Sequence, residues 1–525
     1  MSAIHAFAKN KTASAVSLTI YKGAGNSIVV GVAAGIGAIT ELTAVKGVSV
    51  QDVENCEAEY INLVDIYYTD SANNVVEWVQ VANMSTARVY HQVVALDDGR
   101  FLVAGGQPDR TYTTFLATCE IYNPTTNTWT AAASMPVMRS QAGSAKLLNG
   151  DVLVFGGINE PARNPALASS AVYHVATNTW ETVGNMPEGL ASVGNLWSAV
   201  LPNGKVVVSV GFLTDYVAPK TTAIYDPVAK TWAEGADMNV ARIDGTITTL
   251  ADGRVLVVGG SDPANDNGIY SSIFLRSAEI YDPVADTWTL VDPMPVVPNE
   301  RSGAFQLGAP NGEPAEYAAG LDVPQAVLLP NGKVLVAGGL SPTPNPKFKT
   351  WGCVGRSTCF LFDPNAAPGN QWSVTGSLHT PRWCGALRRL VDGRIIYAGG
   401  TDETFLSTPA TEIYDPATGQ WFAADPIPSA GFAEPASKRG LPVINGIHNF
   451  WGAVNKDNEL LLCGGYSTGS SYISALVGSA ASNHAALYTP SAATVNSGHV
   501  NPAHDAAEAR IDERITVLQD RRPPA

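Results

Sequence analysis

The chain has 525 residues, of which 45% are hydrophobic and only 15% charged, with a formal net charge of −15. Its length exceeds a single ordinary domain unless that domain is built from repeats, and its charged fraction is below the roughly 25% usual for soluble domains. The surface must therefore be mostly Ser, Thr, Asn, Gly and Ala, a balance we associate with extracellular or virion proteins. The acidic excess argues against nucleic acid as a partner, and the longest apolar run, Ile28 to Ile39, is too short for a membrane span.

In chain order, residues 1–60 come first and stand outside any repeat. "SAVSLTIYKGAGNSIVVGVAAG" and "VSVQDVENCEAEYINLVDIYYTD" alternate like a small antiparallel β domain, with Ile28 to Ile39 as a Gly/Ala-rich strand pair. These segments weakly resemble small β domains of tailed-phage virion proteins.

From residue 61 to 495 a pattern recurs. "GRFLVAGG", an apolar strand ending on two glycines, returns as "GDVLVFGG", "GKVVVSVG", "GRVLVVGG", "GKVLVAGG", "GRIIYAGG" and "NELLLCGG". The pairs are Gly105 and Gly106, Gly156 and Gly157, Gly259 and Gly260, Gly338 and Gly339, Gly399 and Gly400, and Gly464 and Gly465; the third copy ends less regularly. After each of the first six copies an aromatic is followed by a tryptophan: Trp129, Trp180, Trp232, Trp288, Trp372 and Trp421. The residues between them are rich in Asp, Asn, Pro and Thr, which is hairpin chemistry. A period of about 50 residues holding four short strands predicts propeller blades.

The seventh copy has Val495 where the tryptophan belongs, while Trp78 stands unclaimed ahead of Met84. An N-terminal strand at about 75–82 should therefore supply the outer strand of the last blade and remove an exposed edge. Two-residue Asp-Gly and Asn-Gly turns fall at one end of the ring. The long insertions fall at the other, on blades 4 to 7, and one carries Trp351. Long loops on one side of a rigid ring are where binding usually occurs.

Near the same end, Arg88, Arg139, Arg242 and Arg382 each follow a Met or Leu landmark by four residues, and Arg301 follows Met294 by seven. Six cysteines form no C-x-x-C pair, so a zinc site has no support; Cys353 and Cys359 are spaced to close a small disulfide loop. Residues 496–525 read as a linker and a short amphipathic helix, with Asp505 and Glu508 at its start and Ala507, Ile511, Ile515 and Leu518 along one face.

The glycine pair, the following Tyr and the spaced Trp resemble the kelch motif. That resemblance implies an all-β, seven-bladed kelch-type propeller. It also suggests that arginines near the channel mouth, Arg88, Arg139, Arg242, Arg301 and Arg382, meet an anion or acidic peptide; the alternative, which we favour, is that each pairs with a carboxylate or carbonyl of a neighbouring blade. Trp351 is a further candidate for ligand contact. Some kelch-like propellers are copper-radical oxidases carrying a Tyr-His pair, and Tyr90 and His91 form one, but in the first blade instead of late in the ring. No catalytic motif rises above this, and no cofactor or metal is implied. The expected function is a non-catalytic binding or structural module, extracellular or on a virion as a fibre or receptor-binding component. Its partner is a protein or glycan on the loop-rich face, with self-association through the termini. The alternative is a secreted propeller enzyme, sugar-modifying or oxidase-like, with a pocket at the channel mouth.

Overall fold

The structure is a computed structural model. It describes strands within residues 5–69 and, from residue 78 to 490, the blades and their turns; segments 110–112, 161–165, 188–196, 210–218, 263–272, 297–320, 346–349, 403–407, 428–450 and 465–482 and the chain ends lie outside the described residues. The expected C-terminal helix falls outside them, as does Arg301.

Seven four-stranded antiparallel sheets succeed one another along the chain. Blade 1 illustrates the order from inside to outside: Gln92–Ala95, Phe101–Ala104, Cys119–Asn123 and Thr128–Ala132. The second strand of every blade is buried along its whole length because neighbouring blades cover both its faces, which is why it reads as an unbroken apolar run. The outermost strands alternate between half-buried and exposed positions, as one-sided strands do.

The core consequently lies between blades. Leu102, Ile121 and Met135 of blade 1 pack with Val152, Val154 and Tyr173 of blade 2. At the seam, Phe101, Val103 and Tyr122 of blade 1 pack with Leu461, Cys463, Ala485 and Leu487 of blade 7.

The Tyr–Trp spacing has a direct cause. Tyr122 and Trp129 lie opposite each other in the register, with ring centroids 5.0 Å apart. Between them Asn127 turns at a φ of 50°, a left-handed angle that Asn tolerates well. Its Oδ1 accepts from the Tyr122 hydroxyl and from the Ala82 N–H, while the Trp129 indole N–H donates to the Ala82 carbonyl at 2.6 Å. The motif is thus a clamp on the preceding blade. Asn178 and Trp180 repeat it on Ala133, and Asp286 repeats the amide half on Ala236.

Ala82 follows directly on Trp78–Val81, the strand that pairs with Ala485–Tyr488 as the fourth strand of blade 7. The ring is closed by an N-terminal outer strand, and blade 1 clamps that strand in place.

The glycine pairs are steric necessities at specific points. Gly106 has a φ of 92°, and a Cβ there would sit 2.6 Å from the Val89 carbonyl oxygen; at Gly260 the corresponding distance to the Ile243 oxygen is 2.3 Å. No other residue fits that approach.

At the tight-turn end, charges are satisfied locally. Where the turn is Asp-Gly-Arg, the arginine pairs with its own turn, as Arg100 does with Asp98 at 2.6 Å. Where it is Asn-Gly-Lys, the lysine reaches the end of the third strand, Lys205 to Asp226 and Lys333 to Asp363.

The chain divides into two compact units, and the one holding the N-terminal residues contains a three-stranded sheet ordered Ile39–Glu41, His5–Asn10 and Val64–Thr69, with a separate hairpin of Val16–Tyr21 and Ser27–Val32. Two sequence expectations are corrected here. Strand pairing carries the N-terminal β segment to Thr69, past the boundary expected at residue 60. The run from Ile28 to Ile39 is not one strand pair, because its two ends pair with different partners. Among the described residues, no helix is long and apolar enough to cross a membrane.

The disulfide expectation is also corrected. Cys359 is a free, buried thiol at the start of the third strand of blade 5, donating to the Ser357 carbonyl at 3.2 Å. Cys353 belongs to a different hairpin, Leu340–Asn345 with Thr350–Gly355, where Pro342 is its cross-strand partner. Cys359 lies in the core between blades 5 and 6.

Candidate functional site

The second strand of each blade ends at the same end of the ring at which the next innermost strand begins. Two residues before five of the innermost strands stands a non-glycine residue in the left-handed region: Tyr90, Gln141, Asp244, Val323 and Cys384, with φ between 45° and 56°. Such angles are costly for L-residues, most of all for β-branched Val323. The ring over-determines them: the Gln141 N–H donates to the Tyr90 carbonyl and the Val323 N–H to the Asp244 carbonyl, each across two successive described rim positions. All five side chains are half-buried. They form the rim at this end of the ring.

The rim has two chemically different arcs. On blades 4 to 6, Asp244, Asp322 and Cys384 lie within electrostatic reach of one another. The Ser261 hydroxyl and the Val323 N–H bond to Asp322. Its Oδ1 is withdrawn from solvent and has no hydrogen-bond partner. Burial first, and the Asp244 charge second, push the Asp322 carboxyl well above the ordinary aspartate range. Burial, reinforced by the same two carboxylates, keeps Cys384 a neutral thiol.

Because its folded-state pKa is raised, the stability associated with Asp322 is fully present below the unfolded value of about 3.9 and is lost as pH rises through the folded value. Asp322→Asn should therefore raise the Tm at pH 7, with the gain vanishing towards pH 3.5. A calorimetric series showing no gain at pH 7 would refute the raised carboxyl.

On blades 1, 2 and 7, Tyr90 and Gln141 stand beside His91, which is only 1% exposed. Burial, then the Arg88 charge, lowers the His91 pKa to about 3, so the ring is neutral. Its Nε2 lies 3.8 Å from the Cys463 sulfur. His91 is a packing residue under the rim, filling the space left by Gly106 and Gly464. Among the described residues, no group of three His, Cys, Asp or Glu side chains is placed to hold a metal.

The described arginines of this group follow the pairing alternative, with partners in their own blade and not in a neighbouring one. Arg88, Arg139, Arg242 and Arg382 are among the most deeply buried large side chains, at most 2% exposed. Each turns into its own blade. Arg88 donates to the carbonyls of Gly105 and Thr118, Arg242 to those of Gly259 and Ser277, and Arg382 to those of Gly399 and Ala410. Three of them pair with a buried glutamate on the third strand: Arg88 with Glu120 at 2.9 Å, Arg242 with Glu279 at 2.8 Å, and Arg382 with Glu412. The same glutamates accept backbone N–H groups from Ser85, Asn239 and His379, tying the incoming loop to the blade.

Arg301 lies outside the described residues. The Asp322–Leu340 bridge matches the Val89–Gln107 and Ile243–Ser261 bridges, so Leu321 occupies the arginine position of blade 5. Trp351 lies opposite Pro344 on the hairpin inserted between the second and third strands of blade 5, and its side chain lies outside the described residues.

Sequence reasoning missed the rim residues Gln141, Asp244, Asp322 and Cys384. A signal was present, since each stands a fixed two or three residues before an innermost strand. The unusual backbone angle of Gln141, Asp244 and Cys384, however, is imposed by the closed ring.

A closed ring of seven repeated four-stranded blades defines a seven-bladed β-propeller. Comparison with known proteins places it further. The Kelch motif model matches residues 88–136 and 248–295. The chain is similar to Kelch-like protein 35 of Mus musculus, 26% identical over 334 residues, covering 62% of this chain and 46% of that protein. It is similar to Beta-scruin of Limulus polyphemus, 29% identical over 282 residues, covering 51% of this chain and 26% of that protein. A shorter likeness to Galactose oxidase of Gibberella zeae is 37% identical over 87 residues, covering 17% of this chain and 11% of that protein. The chain spans less than half the length of each of these relatives. The chain folds as a seven-bladed β-propeller that carries Kelch motifs.

Proposed function

We propose that the protein is a non-catalytic binding or structural module that holds a protein or glycan at the loop-rich end of the propeller. It is displayed at a surface or carried on a virion as a fibre or receptor-binding component. The terminal segments outside the blades serve its self-association or assembly.

The observation that carries this reading is the asymmetry of the two ends. One end is shut by short turns with locally paired charges. The other presents the rim and receives the long connections 291–324 and 425–450 between blades. Three of the four arginines near the channel mouth that the structure describes are paired to glutamate, and the half-buried polar residues of the rim are Asp244, Gln141 and Tyr90. Such groups suit hydroxyl-bearing or amide-bearing partners better than acidic ones. The kelch relatives support a binding or structural role by family.

The test is retention of the full-length chain on arrays of surface glycans and on candidate host-surface proteins, repeated with Asp244→Asn and Gln141→Ala. The expected result is retention that falls at least tenfold in the variants. No retained component, or retention untouched by both changes, would reject the proposal. The likeness to Galactose oxidase favours a second reading as a propeller enzyme. Copper-dependent peroxide release on sugar alcohols would establish it in place of the first.

A further inference from the structure

Comparing the seven blades of this one chain exposes a missing partner. Blades 1, 4 and 6 carry both the buried arginine and its glutamate. Blade 5 carries neither, having Leu321 and Phe360 at the two positions. Blade 3 has Ala223 at the glutamate position and no arginine in residues 184–196; blade 7 has Ala486, and Ile447 stands four residues before its innermost strand. In these six blades cation and anion are kept or lost together, as expected where an unpaired charge must not be buried.

Blade 2 breaks the pattern. Arg139 is 2% exposed and donates to the carbonyls of Gly156 and Ser169 and to the Ser169 hydroxyl. The glutamate position is Ala171, two residues before Tyr173 as Glu120 is two before Tyr122. Among the described residues no carboxylate pairs with Arg139. Its buried Nε has no partner; Arg242 shares that bare Nε but holds Glu279 on its Nη2. Burial alone lowers the Arg139 pKa to about 10. Blade 2 also has Pro136 where blades 1, 4 and 6 have an N–H that bonds the glutamate, so one reason for the carboxylate has gone while the cation has stayed.

We infer that Arg139 holds a small monovalent anion, of the size of chloride, in the space that the glutamate side chain fills in blades 1, 4 and 6. Ala171 clears that space. Thr182 is its cross-strand neighbour on the same sheet face. The ion restores in blade 2 the charge balance that a side chain provides elsewhere, and this holds whatever the propeller binds at its rim.

The test uses the full chain with chloride and bromide as probes. Crystals grown in bromide should show an anomalous peak at the Arg139 guanidinium, absent from Ala171→Glu, in which the restored carboxylate takes its place. In solution, the wild-type Tm should rise by a few degrees as chloride replaces gluconate at fixed ionic strength, and Ala171→Glu should lose that response. A water or nothing at Arg139 in bromide crystals overturns the inference. So does a halide response that Ala171→Glu retains.

Discussion

Replacing Trp78 by alanine should destabilise the propeller by about 3–5 kcal/mol, the range for truncating a large buried aromatic. Trp78 is 1% exposed, lies 5.2 Å from the Tyr488 ring, and donates its indole N–H to the Thr411 hydroxyl of blade 6 at 3.1 Å. It belongs to the strand that closes the ring and packs blade 7 against blade 6, so the loss falls on that closing strand and on the interface between the last two blades. Trp180→Ala, in the unbroken blade 2 and only half-buried, should cost less. Urea unfolding gives the two energies, and hydrogen exchange should show the amides of residues 485–488 losing protection in Trp78→Ala alone. Equal costs, or undiminished protection of that strand, would show that closure does not depend on Trp78.

The buried ion pairs supply the second large effect. Glu279 accepts from the N–H groups of Asn239 and Val240 and from Arg242, all within 2.9 Å. Glu279→Phe alone strands a guanidinium that is 1% exposed and should cost about 3–5 kcal/mol. The double change Arg242→Leu with Glu279→Phe copies the pair that blade 5 already uses, Leu321 and Phe360. It should be more stable than the single change, because no unpaired charge remains. Chemical denaturation of both variants decides the matter, and a double variant weaker than the single would sink the charge argument.

These pairs mark where the sequence stops being readable. The blade repeat is local: a buried second strand, a glycine pair, an aromatic and a tryptophan recur within a few tens of residues, and periodicity records them. Ring closure is legible as well, because the last copy lacks a tryptophan and the first segment has one to spare. The fate of the arginines is not local. Arg88 meets Glu120 32 residues on, and Arg242 meets Glu279 37 residues on, across loops of different length. Counting from the Met landmark therefore succeeds in blade 1 and fails in blade 5, where a long insertion moves the position from Arg301 to Leu321.

The sequence by itself determined the architecture, the number of blades, the closing strand and the end on which the long connections gather. Each of these depends on patterns of apolar, turn and aromatic residues at short range. Only the tertiary structure decided that the arginines are internal struts, that Cys359 is a free core thiol, and that Asp244, Asp322 and Cys384 share one arc of the rim. Those outcomes depend on which side chains a closed ring brings together and on how far water is excluded from them. Neither distance nor exclusion is written in the spacing of residues along one blade.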